Sequence, residues 1–262
     1  MPEVTTYVPG MLCWTDLQTS DQPAAKRFYS ELFGWKLNDL PVGPNMTYTM
    51  ATVGGKDVAA MSGMDVEMRK AGVPPHWNLY FAVKNVDEMA SKAAKVGGKI
   101  VAPAFDVMDV GRMAVVQDPS GAMFCLWQAK KHIGAGRIGE PGAIAWGELM
   151  TRDVAACKAF YTKLFDWNAQ AMPSSGFEYT MLNVGDKPNV GMMPMMPEVP
   201  AHVPSHWNIY FAVQSCDETV KRANAMGAKT MVPPQDIPNM GRFAMMFDPQ
   251  GAAFAIFQSA RT

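Results

Sequence analysis

The sequence predicts an α+β fold of two tandem domains, each built from two βαβββ units, and two observations carry that prediction. The first is an internal repeat: residues 76–83 return at 206–213, and only Leu79 differs, being replaced by Ile209. The second is that strand-like and helix-like segments follow the same order in each half. A repeat period of about 130 residues is far longer than that of solenoids or propellers, so two homologous domains explain it better.

The repeat extends over nearly the whole chain of 262 residues. Ahead of the first segment, a pattern of aromatic and polar residues recurs 132 positions later. Its members are Trp14, Thr19, Asp21, Phe28, Tyr29, Leu32, Phe33 and Trp35, which return as Trp146, Thr151, Asp153, Phe160, Tyr161, Leu164, Phe165 and Trp167. We therefore expect one domain over residues 8–129 and a second over 140–260. The Gly-rich and basic residues 130–141 have the composition of an exposed linker.

Local signals place the strands and helices of each half. Apolar runs bounded by turn residues predict strands, and apolar residues at helical spacing predict helices. One helix of the first half begins after Ser20 or Asp21 and ends at Gly34; the other begins after Asn85 and ends before Gly97. The expected strands of that half are residues 11–17, 46–53, 58–64, 77–83, 112–117 and 122–128.

Composition excludes several classes of protein. Lys plus Arg number 23 against 24 Asp plus Glu, whereas a nucleic-acid binder needs a basic surface. No apolar run reaches the roughly 18 residues of a transmembrane helix, and the N-terminus does not resemble a signal peptide. The 4 Cys are far apart and form no CxxC pair, which argues against structural zinc and a disulfide framework. We expect a reduced, cytoplasmic protein that binds neither nucleic acid nor a membrane.

With these elements in order, the chain resembles the vicinal oxygen chelate superfamily, which includes glyoxalase I, extradiol dioxygenases and bleomycin-resistance proteins. The resemblance rests on the helix pattern Phe28-Tyr29-x-x-Leu32-Phe33-Gly34-Trp35 and the turn Asp118-Pro119-x-Gly121, and it covers both halves. It is closest to two-domain glyoxalase-like proteins of bacteria. The resemblance implies that the two βαβββ units of each half lie edge to edge and form a curled mixed sheet around a cleft. Fold alone does not determine function.

Metal-using members of this superfamily hold a divalent ion in the cleft through His, Gln, Glu or other carboxylate ligands, and the ion polarises a substrate oxygen. Carried over one position at a time, none of these ligand positions falls on His, Glu or Asp here. They fall on Trp14, Asn78, Cys125 and residues 60–61 in the first half, and on Trp146, Asn208, Ala255 and residues 191–192 in the second. Indole and thioether groups are poor ligands for hard cations. We therefore expect no metal and no other cofactor.

Strand alternation predicts which side chains share the cleft with those positions. A His near an acid can act as a general acid or base without metal, so the candidate catalytic pairs are His206 with Glu148 and His76 with Asp16. The candidate ligand-binding residues are Trp14, Asn78, Tyr80, Cys125, Trp146, Met192, Asn208 and Tyr210.

Each of these candidates also has a structural interpretation. Both His residues follow Pro at the start of a strand, where a satisfied structural donor is common. Asp16 and Glu148 are alternatively solvated strand-end charges, or ion-pair partners of Arg112 and Arg242. Trp14 and Trp146 are either packing residues or a surface on which a ligand stacks.

Methionine is the unusual residue of the composition, with 23 in the chain. Met fills irregular cores or lines permissive apolar pockets. The densest stretch, residues 191–197, is interpreted either as a Met-lined pocket wall with a Pro-stiffened lid or as core filling. In contrast, Asp118 and Asp248 are expected to be structural, because Asp at the first position of a turn bonds its own backbone.

Two functions remain open from the sequence. The first is a metal-independent protein that binds a small organic molecule, such as a polar aromatic or carbonyl compound. The second is a metal-independent lyase or isomerase that uses a His–carboxylate pair. A metal-dependent glyoxalase or dioxygenase is disfavoured by the residues at the ligand positions. The chain is expected to be a monomer of two pseudo-symmetric domains or a homodimer.

Overall fold

The computed structural model describes residues 3–44, 46–172 and 178–260, and in them each half of the chain forms its own eight-stranded sheet. The strands of the first sheet are β1 (Leu12–Thr19), β2 (Lys36–Gly43), β3 (Met46–Val53), β4 (Lys56–Gly63), β5 (His76–Ala82), β6 (Lys99–Val107), β7 (Gly111–Gln117) and β8 (Met123–Ala129). Those of the second are β9 (Ile144–Thr151), β10 (Asn168–Met172), β11 (Tyr179–Val184), β12 (Lys187–Pro194), β13 (His206–Ala212), β14 (Lys229–Ile237), β15 (Gly241–Phe247) and β16 (Ala253–Ser259).

A helix follows the first strand of each of the four units, as the sequence predicts, and one further short helix follows β4. They are α1 (Gln22–Phe33), α2 (Val66–Lys70), α3 (Val86–Lys95), α4 (Val154–Phe165) and α5 (Cys216–Ala225). Asp21 accepts a hydrogen bond from the Ala24 amide and caps α1, and Gly34 ends that helix in the left-handed conformation. Asn85 caps α3 in the same way. The predicted helix boundaries are thus confirmed at their capping residues.

Both sheets have the same topology. The strand order is β2-β3-β4-β1-β5-β8-β7-β6 in the first sheet and β10-β11-β12-β9-β13-β16-β15-β14 in the second. The first strands of the two units pair antiparallel at the centre, β1 with β5 and β9 with β13, so that the units lie edge to edge. The predicted fold class, α+β with tandem mixed sheets, is confirmed, and among the strands that the structure describes neither sheet combines strands of both halves.

The sequence did not predict the edge strands β2 and β6, or the short helix α2. Both strands contain Pro and are largely exposed, so they lack the apolar alternation that marks a half-buried strand. Helix α2 has no buried residue, and its only clear signal is the cap at Asp65.

One hydrophobic core joins the two halves, because helices of each half pack against the sheet of the other. The Phe28 ring of α1 lies 6.0 Å from the Phe254 ring of β16, and the Phe160 ring of α4 lies 6.2 Å from the Phe124 ring of β8. We call the opposite face of each sheet, turned away from these helices, the cleft face. Asp16 and Glu148 lie on it, one residue before the core residues Leu17 and Leu149.

The segment between the halves is packed, which corrects the prediction of an exposed linker. Gly134, Ala135 and Gly136 are buried. The Ala135 amide donates to the Cys13 carbonyl (2.8 Å), and the Tyr7 hydroxyl donates to the Ala135 carbonyl (2.7 Å). A Cβ on Gly134 would lie 2.3 Å from the Cys13 carbonyl oxygen, so only glycine lets the segment approach β1 this closely.

Cys13, Cys125, Cys157 and Cys216 are all free thiols in the buried interior. Across the described parts of the chain, no helix is long and apolar enough to cross a membrane.

Candidate functional site

A buried carboxylate lies at the centre of the cleft face in each half, on the first strand. Asp16 is paired in register with Asn78 of β5, and Glu148 with Asn208 of β13. Because residues paired across strands project to the same face, each carboxylate and its Asn neighbour lie side by side. Asp16 is 3% exposed and Glu148 is 7% exposed. Neither is a solvated strand-end charge.

In the first half, Asp16 accepts hydrogen bonds from three side chains. Asn78 Nδ2 donates to Asp16 Oδ1, and the hydroxyls of Tyr80 and Tyr48 both donate to Asp16 Oδ2. Each of these three hydrogen bonds is 2.9 Å long. Tyr48 in turn accepts a 3.1 Å hydrogen bond from Trp14 Nε1. We call Trp14, Tyr48, Asp16, Tyr80 and Asn78 the first cluster.

The second half repeats this network with one substitution, Glu for Asp. The Tyr210 hydroxyl donates to Glu148 Oε1 over 2.7 Å, and the Tyr179 hydroxyl also hydrogen-bonds the carboxylate. Trp146 Nε1 donates to the Tyr179 hydroxyl over 3.0 Å. We call Trp146, Tyr179, Glu148, Tyr210 and Asn208 the second cluster.

Burial has the largest effect on the pKa of both carboxylates. It raises the pKa of Asp16, against the hydrogen bonds from Asn78, Tyr80 and Tyr48 and the charge of His76, which lower it. Burial likewise raises the pKa of Glu148, while the hydrogen bonds from Tyr210 and Tyr179 lower it. The tyrosine hydroxyls have strongly raised pKa values because they are buried beside a carboxylate, so they act as donors. Each cluster is therefore a buried acid with a raised pKa, surrounded by hydroxyl donors, and none of its five members is a Lys or an Arg.

The two clusters differ in the position of the Asn amide. Asn78 Nδ2 is bonded to Asp16, but in the second cluster Asn208 Nδ2 is buried and has no hydrogen-bond partner among the described residues. The extra methylene of Glu148 carries its carboxylate further from the strand. On the neighbouring strand β12, the residue paired with Glu148 is Gly191, whereas the residue paired with Asp16 in the first half is Ala60. A Cβ on Gly191 would lie 1.9 Å from the Tyr179 hydroxyl, so the missing methyl makes room for that hydroxyl.

The first cluster is also covered more completely than the second. The ring of His132, from the segment between the halves, lies edge-on to Trp14 at 4.6 Å and to Trp127 at 6.0 Å. Trp127 Nε1 donates to the His132 carbonyl over 2.9 Å. Trp14 and Trp127 are consequently 3% and 5% exposed.

The counterparts of these rings in the second half are Trp146 and Phe257, and both are half-buried. They pack with Phe243 around a small apolar cluster of Tyr210, Met245 and Ala255. The cleft face of the second half therefore retains apolar ring surface in contact with solvent.

The two predicted catalytic His residues do not pair with the carboxylates. Nδ1 of His76 lies 2.8 Å from the Pro74 carbonyl, and Nδ1 of His206 lies 2.8 Å from the Pro204 carbonyl. A carbonyl only accepts, so in each ring Nδ1 carries the proton. Among the described residues, the hydrogen bonds to Asp16 and Glu148 come from Tyr and Asn side chains rather than from His. These contacts agree with the alternative interpretation of both His residues, in which each is a structural hydrogen-bond donor at the start of a strand.

The remaining predicted residues divide between the two faces. Cys125 lies beside Tyr80, with which it is paired in register, on the cleft face. Met192 is paired with Leu149 and is fully buried in the core between the halves, so the position of this side chain is a correction to the prediction that it lines the cleft. Because successive residues of a strand face opposite sides of the sheet, the residue of β12 on the cleft face is Gly191 instead.

Arg112 and Arg242 do not reach the cluster carboxylates. Arg112 forms ion pairs with Asp87 and Asp106 at the surface. Arg242 forms the equivalent pairs with Asp217 and Asp236. The alternative that Asp16 and Glu148 are ion-pair partners of Arg112 and Arg242 is therefore wrong.

Three residues of this region were not predicted from the sequence: Tyr48, Tyr179 and His132. A signal for the two tyrosines was present, because Tyr48-Thr49-Met50 returns as Tyr179-Thr180-Met181 in the corresponding strands. No sequence pattern indicated that His132 belongs to this region. It lies outside the repeated segments, and only the packing of the chain between the halves brings it to Trp14.

The donor set does not fit the divalent ion that the fold implies. The positions carried over from the family hold indole, amide, thiol and methyl groups, and Asp16 and Glu148 are each enclosed by tyrosine hydroxyls. Within the described residues, no group of three or more His, Cys, Asp or Glu side chains could hold a metal ion. A stable site for a hard or borderline cation needs several such ligands converging.

Comparisons with known proteins agree on the family. The model of the family described as "Glyoxalase/Bleomycin resistance protein/Dioxygenase superfamily" matches residues 12–126 and 143–256. A protein of Mycobacterium bovis named "Putative glyoxylase CFP32" is 43% identical over 99% of both chains. The "Anthracycline biosynthesis protein DnrV" of Streptomyces peucetius is 32% identical over 97% of this chain and 95% of its own.

Solved structures share the fold at low sequence identity. The Mn(II)-bound glyoxalase from Novosphingobium aromaticivorans superimposes with a TM-score of 0.65 at 15% identity, covering 95% of this chain and 82% of that one. The 2,3-dioxygenase LapB from Pseudomonas sp. KL28 gives 0.65 at 14% identity, covering 97% and 94%. At this level of identity the likeness concerns the fold alone.

Proposed function

The chain belongs to the glyoxalase/bleomycin resistance protein/dioxygenase superfamily, and from this premise we propose that it binds a small planar aromatic carbonyl compound without a metal ion. The observation that carries the proposal is the Trp–Tyr–carboxylate–Tyr cluster on the cleft face. Hydroxyl donors and a buried acid recognise ligand oxygens, and the indole beside them offers a stacking surface.

The choice of ligand class rests on chemistry and on the relatives. Pockets that bind small molecules combine apolar walls with a few placed polar groups, as the ring surface around Tyr210 does. Two relatives carry names that refer to anthracycline biosynthesis. Because anthracyclines are built on a planar aromatic quinone, we take polycyclic aromatic ketones and quinones as the ligand class.

A second candidate function is acid–base catalysis, as a lyase or isomerase. The observation that favours it is the 2.7 Å hydrogen bond between the Tyr210 hydroxyl and Glu148, both shielded from water. A carboxyl group with a raised pKa keeps its proton to a higher pH than an exposed carboxyl group does, and the tyrosine hydroxyl can pass a proton to a ligand oxygen. In this version Tyr210 and Glu148 take the place of the predicted His–carboxylate pair.

Location and assembly complete the proposal. The free thiols and the near-zero net charge support a cytoplasmic protein without nucleic-acid partners. The core shared by the halves supports a monomer in which the two halves act as one folded unit, and a homodimer of such units is the alternative.

Titration with anthraquinone-2-sulfonate, followed by tryptophan fluorescence and by calorimetry, tests the proposed function. We expect saturable binding that is unchanged after dialysis against a strong chelator. Absence of saturable binding would overturn the proposal, and loss of binding in chelator that returns with a divalent ion would overturn its metal-independence.

The catalytic candidate needs a separate readout. Incubation of a panel of hydroxy-ketones in D₂O with the wild-type protein and with Tyr210→Phe would show catalysed exchange at the carbon beside the carbonyl. Exchange that the wild type accelerates and Tyr210→Phe does not supports catalysis. Binding without any exchange leaves the protein a binder.

A further inference from the structure

The amide of Asn208, on the cleft face of the second half, is a buried donor without a hydrogen-bond partner among the described residues. Asn208 is 2% exposed, and its Nδ2 has no hydrogen-bond partner in the described part of the chain. Buried side-chain donors in proteins are nearly always paired, and an unpaired one costs free energy. The matched residue Asn78 shows what pairing looks like, since its Nδ2 donates to Asp16 over 2.9 Å.

The orphaned amide follows from the exchange of Asp for Glu on the neighbouring strand. In the second cluster the longer side chain of Glu148 reaches Tyr210 and Tyr179, and its oxygens are engaged there. Asn208 stays beside the strand, because its position is fixed by the β9–β13 register. The donor is thus not bonded to Glu148, and no other partner among the described residues takes its place, so it is available to an acceptor from outside the chain.

Apolar ring surface lies next to this donor. Asn208 and Tyr210 project to the same face of β13, two residues apart. The half-buried rings of Trp146, Phe243 and Phe257 pack against the small apolar cluster that contains Tyr210. A planar ligand lying on these rings would bring an edge oxygen toward the amide.

The first half lacks both features. Its Asn amide is satisfied by Asp16, and its Trp14 and Trp127 are covered by the ring of His132. The covering segment is held in place by the Ala135 amide, which donates to the Cys13 carbonyl. The first cluster is therefore a closed polar core.

We propose that the second half alone binds the ligand, and that Asn208 Nδ2 donates a hydrogen bond to a carbonyl oxygen of that ligand. This inference rests on the proposed function and deepens it, because it assigns the binding half and the group that distinguishes a ketone or quinone from a plain aromatic hydrocarbon. Asn208 is the specificity-determining residue, and the rings around Tyr210 supply the apolar contact.

A matched pair of probes and a matched pair of variants test the inference. The probes are anthraquinone-2-sulfonate and anthracene-2-sulfonate, which share shape and charge but differ in the two ring carbonyls. The variants are Asn208→Ala and Asn78→Ala, with circular dichroism and thermal melting to show that each is folded. Calorimetry gives the affinity and the stoichiometry.

We expect a single site per chain for the quinone. Asn208→Ala should weaken quinone binding about tenfold, which corresponds to about 1.4 kcal/mol, and should leave anthracene-2-sulfonate binding unchanged. Asn78→Ala should leave quinone binding unchanged even if it lowers the melting temperature. Asn208→Asp, which removes the donor but keeps the shape, should weaken quinone binding at least as much as Asn208→Ala.

Several results would overturn the inference while leaving the proposed function intact. They are two equivalent sites per chain, a loss of affinity in Asn78→Ala instead of Asn208→Ala, or an equal loss for both probes. Absence of quinone binding by the folded wild-type protein is the separate result that removes the proposed function itself.

Discussion

The hydroxyl of Tyr29, on helix α1 of the first half, donates a 3.0 Å hydrogen bond to Oδ2 of Asp248 in the second half. The relationship is reciprocal, because Tyr161 of α4 donates to Oδ2 of Asp118 over 3.0 Å. Asp118 and Asp248 also accept hydrogen bonds from their own turn backbone, which confirms the structural role expected for them. Each turn therefore ties one sheet to a helix of the other half.

Tyr29→Phe should lower the free energy of unfolding by about 2 kcal/mol. The hydroxyl is fully buried and also accepts a 3.1 Å hydrogen bond from Trp77 Nε1, so its removal takes away the partner of Trp77 Nε1 and the side-chain donor to Asp248 Oδ2. Urea unfolding measures the loss, and Tyr161→Phe should give a similar one. Because the core is continuous, both variants should unfold in a single transition. Two separate transitions would show that the halves are not coupled in this way.

Glu148→Gln should stabilise the protein increasingly as the pH rises above about 4.5. Burial raises the pKa of Glu148, so over this window the native state keeps a proton that the unfolded chain has released, and wild-type stability falls with rising pH. Gln keeps an acceptor for Tyr210 and has no proton to lose.

The difference in stability should grow by at most about 1.4 kcal/mol for each pH unit of the window. Urea unfolding of both proteins from about pH 4 to pH 7 measures it. Asp16→Asn is the matched variant, with the same sign expected because burial also raises the pKa of Asp16. A difference that stays constant with pH would contradict the assignment of buried, proton-holding acids.

His132 should make the wild-type protein less stable in acid. Burial lowers the pKa of His132 below its ordinary value of 6.5, although the charge of Asp57 acts in the opposite sense. The unfolded chain therefore binds more protons than the native one as the pH falls through 6.5, and stability is lost there. His132→Phe, which keeps a ring between Trp14 and Trp127, should lose less stability between about pH 7.5 and pH 5.5.

The measurement is urea unfolding at the two pH values, with His202→Phe as the control because His202 is exposed. Equal acid sensitivity of wild type and His132→Phe would show that this ring does not titrate on unfolding. His132→Ala is expected to uncover Trp14, which a red shift of tryptophan emission would report.

Gly191→Ala should disturb the second cluster without touching the first. The added Cβ would lie 1.9 Å from the Tyr179 hydroxyl and 3.0 Å from Trp146 Nε1, so the tyrosine must move away from Glu148. Overpacking of this kind costs about 1–3 kcal/mol. Binding of anthraquinone-2-sulfonate should weaken as well. Gly63→Ala is the control, since a Cβ there meets no atom closer than 3.9 Å. Equal stability of both variants would place Tyr179 elsewhere.

The sequence by itself determined the tandem repeat, the fold class and the position of the central acids. The repeat is visible because both halves kept the same residues at the helix start, at the turn containing Asp118 and in the strand that begins at His76. A period of two along each strand correctly grouped Asp16 with Trp14 and Asn78 with Tyr80, and the family resemblance assigned both groups to the cleft. The repeat and the alternation are local signals, and they need no knowledge of which strands become neighbours.

Only the tertiary structure decided three features. These are the hydrogen-bond partners of each buried acid, the half whose cleft face keeps ring surface in contact with solvent, and the face of the sheet on which Met192 lies. Tyr48 reaches Asp16 because β3 lies in the same sheet as β1, separated from it only by β4. Met192 points into the core because it is paired in register with the core residue Leu149. His132 covers Trp14 through the packing of a segment that carries no repeat and no periodicity. Register and packing between distant segments arise from contacts summed over the whole fold, so no short stretch of sequence encodes them.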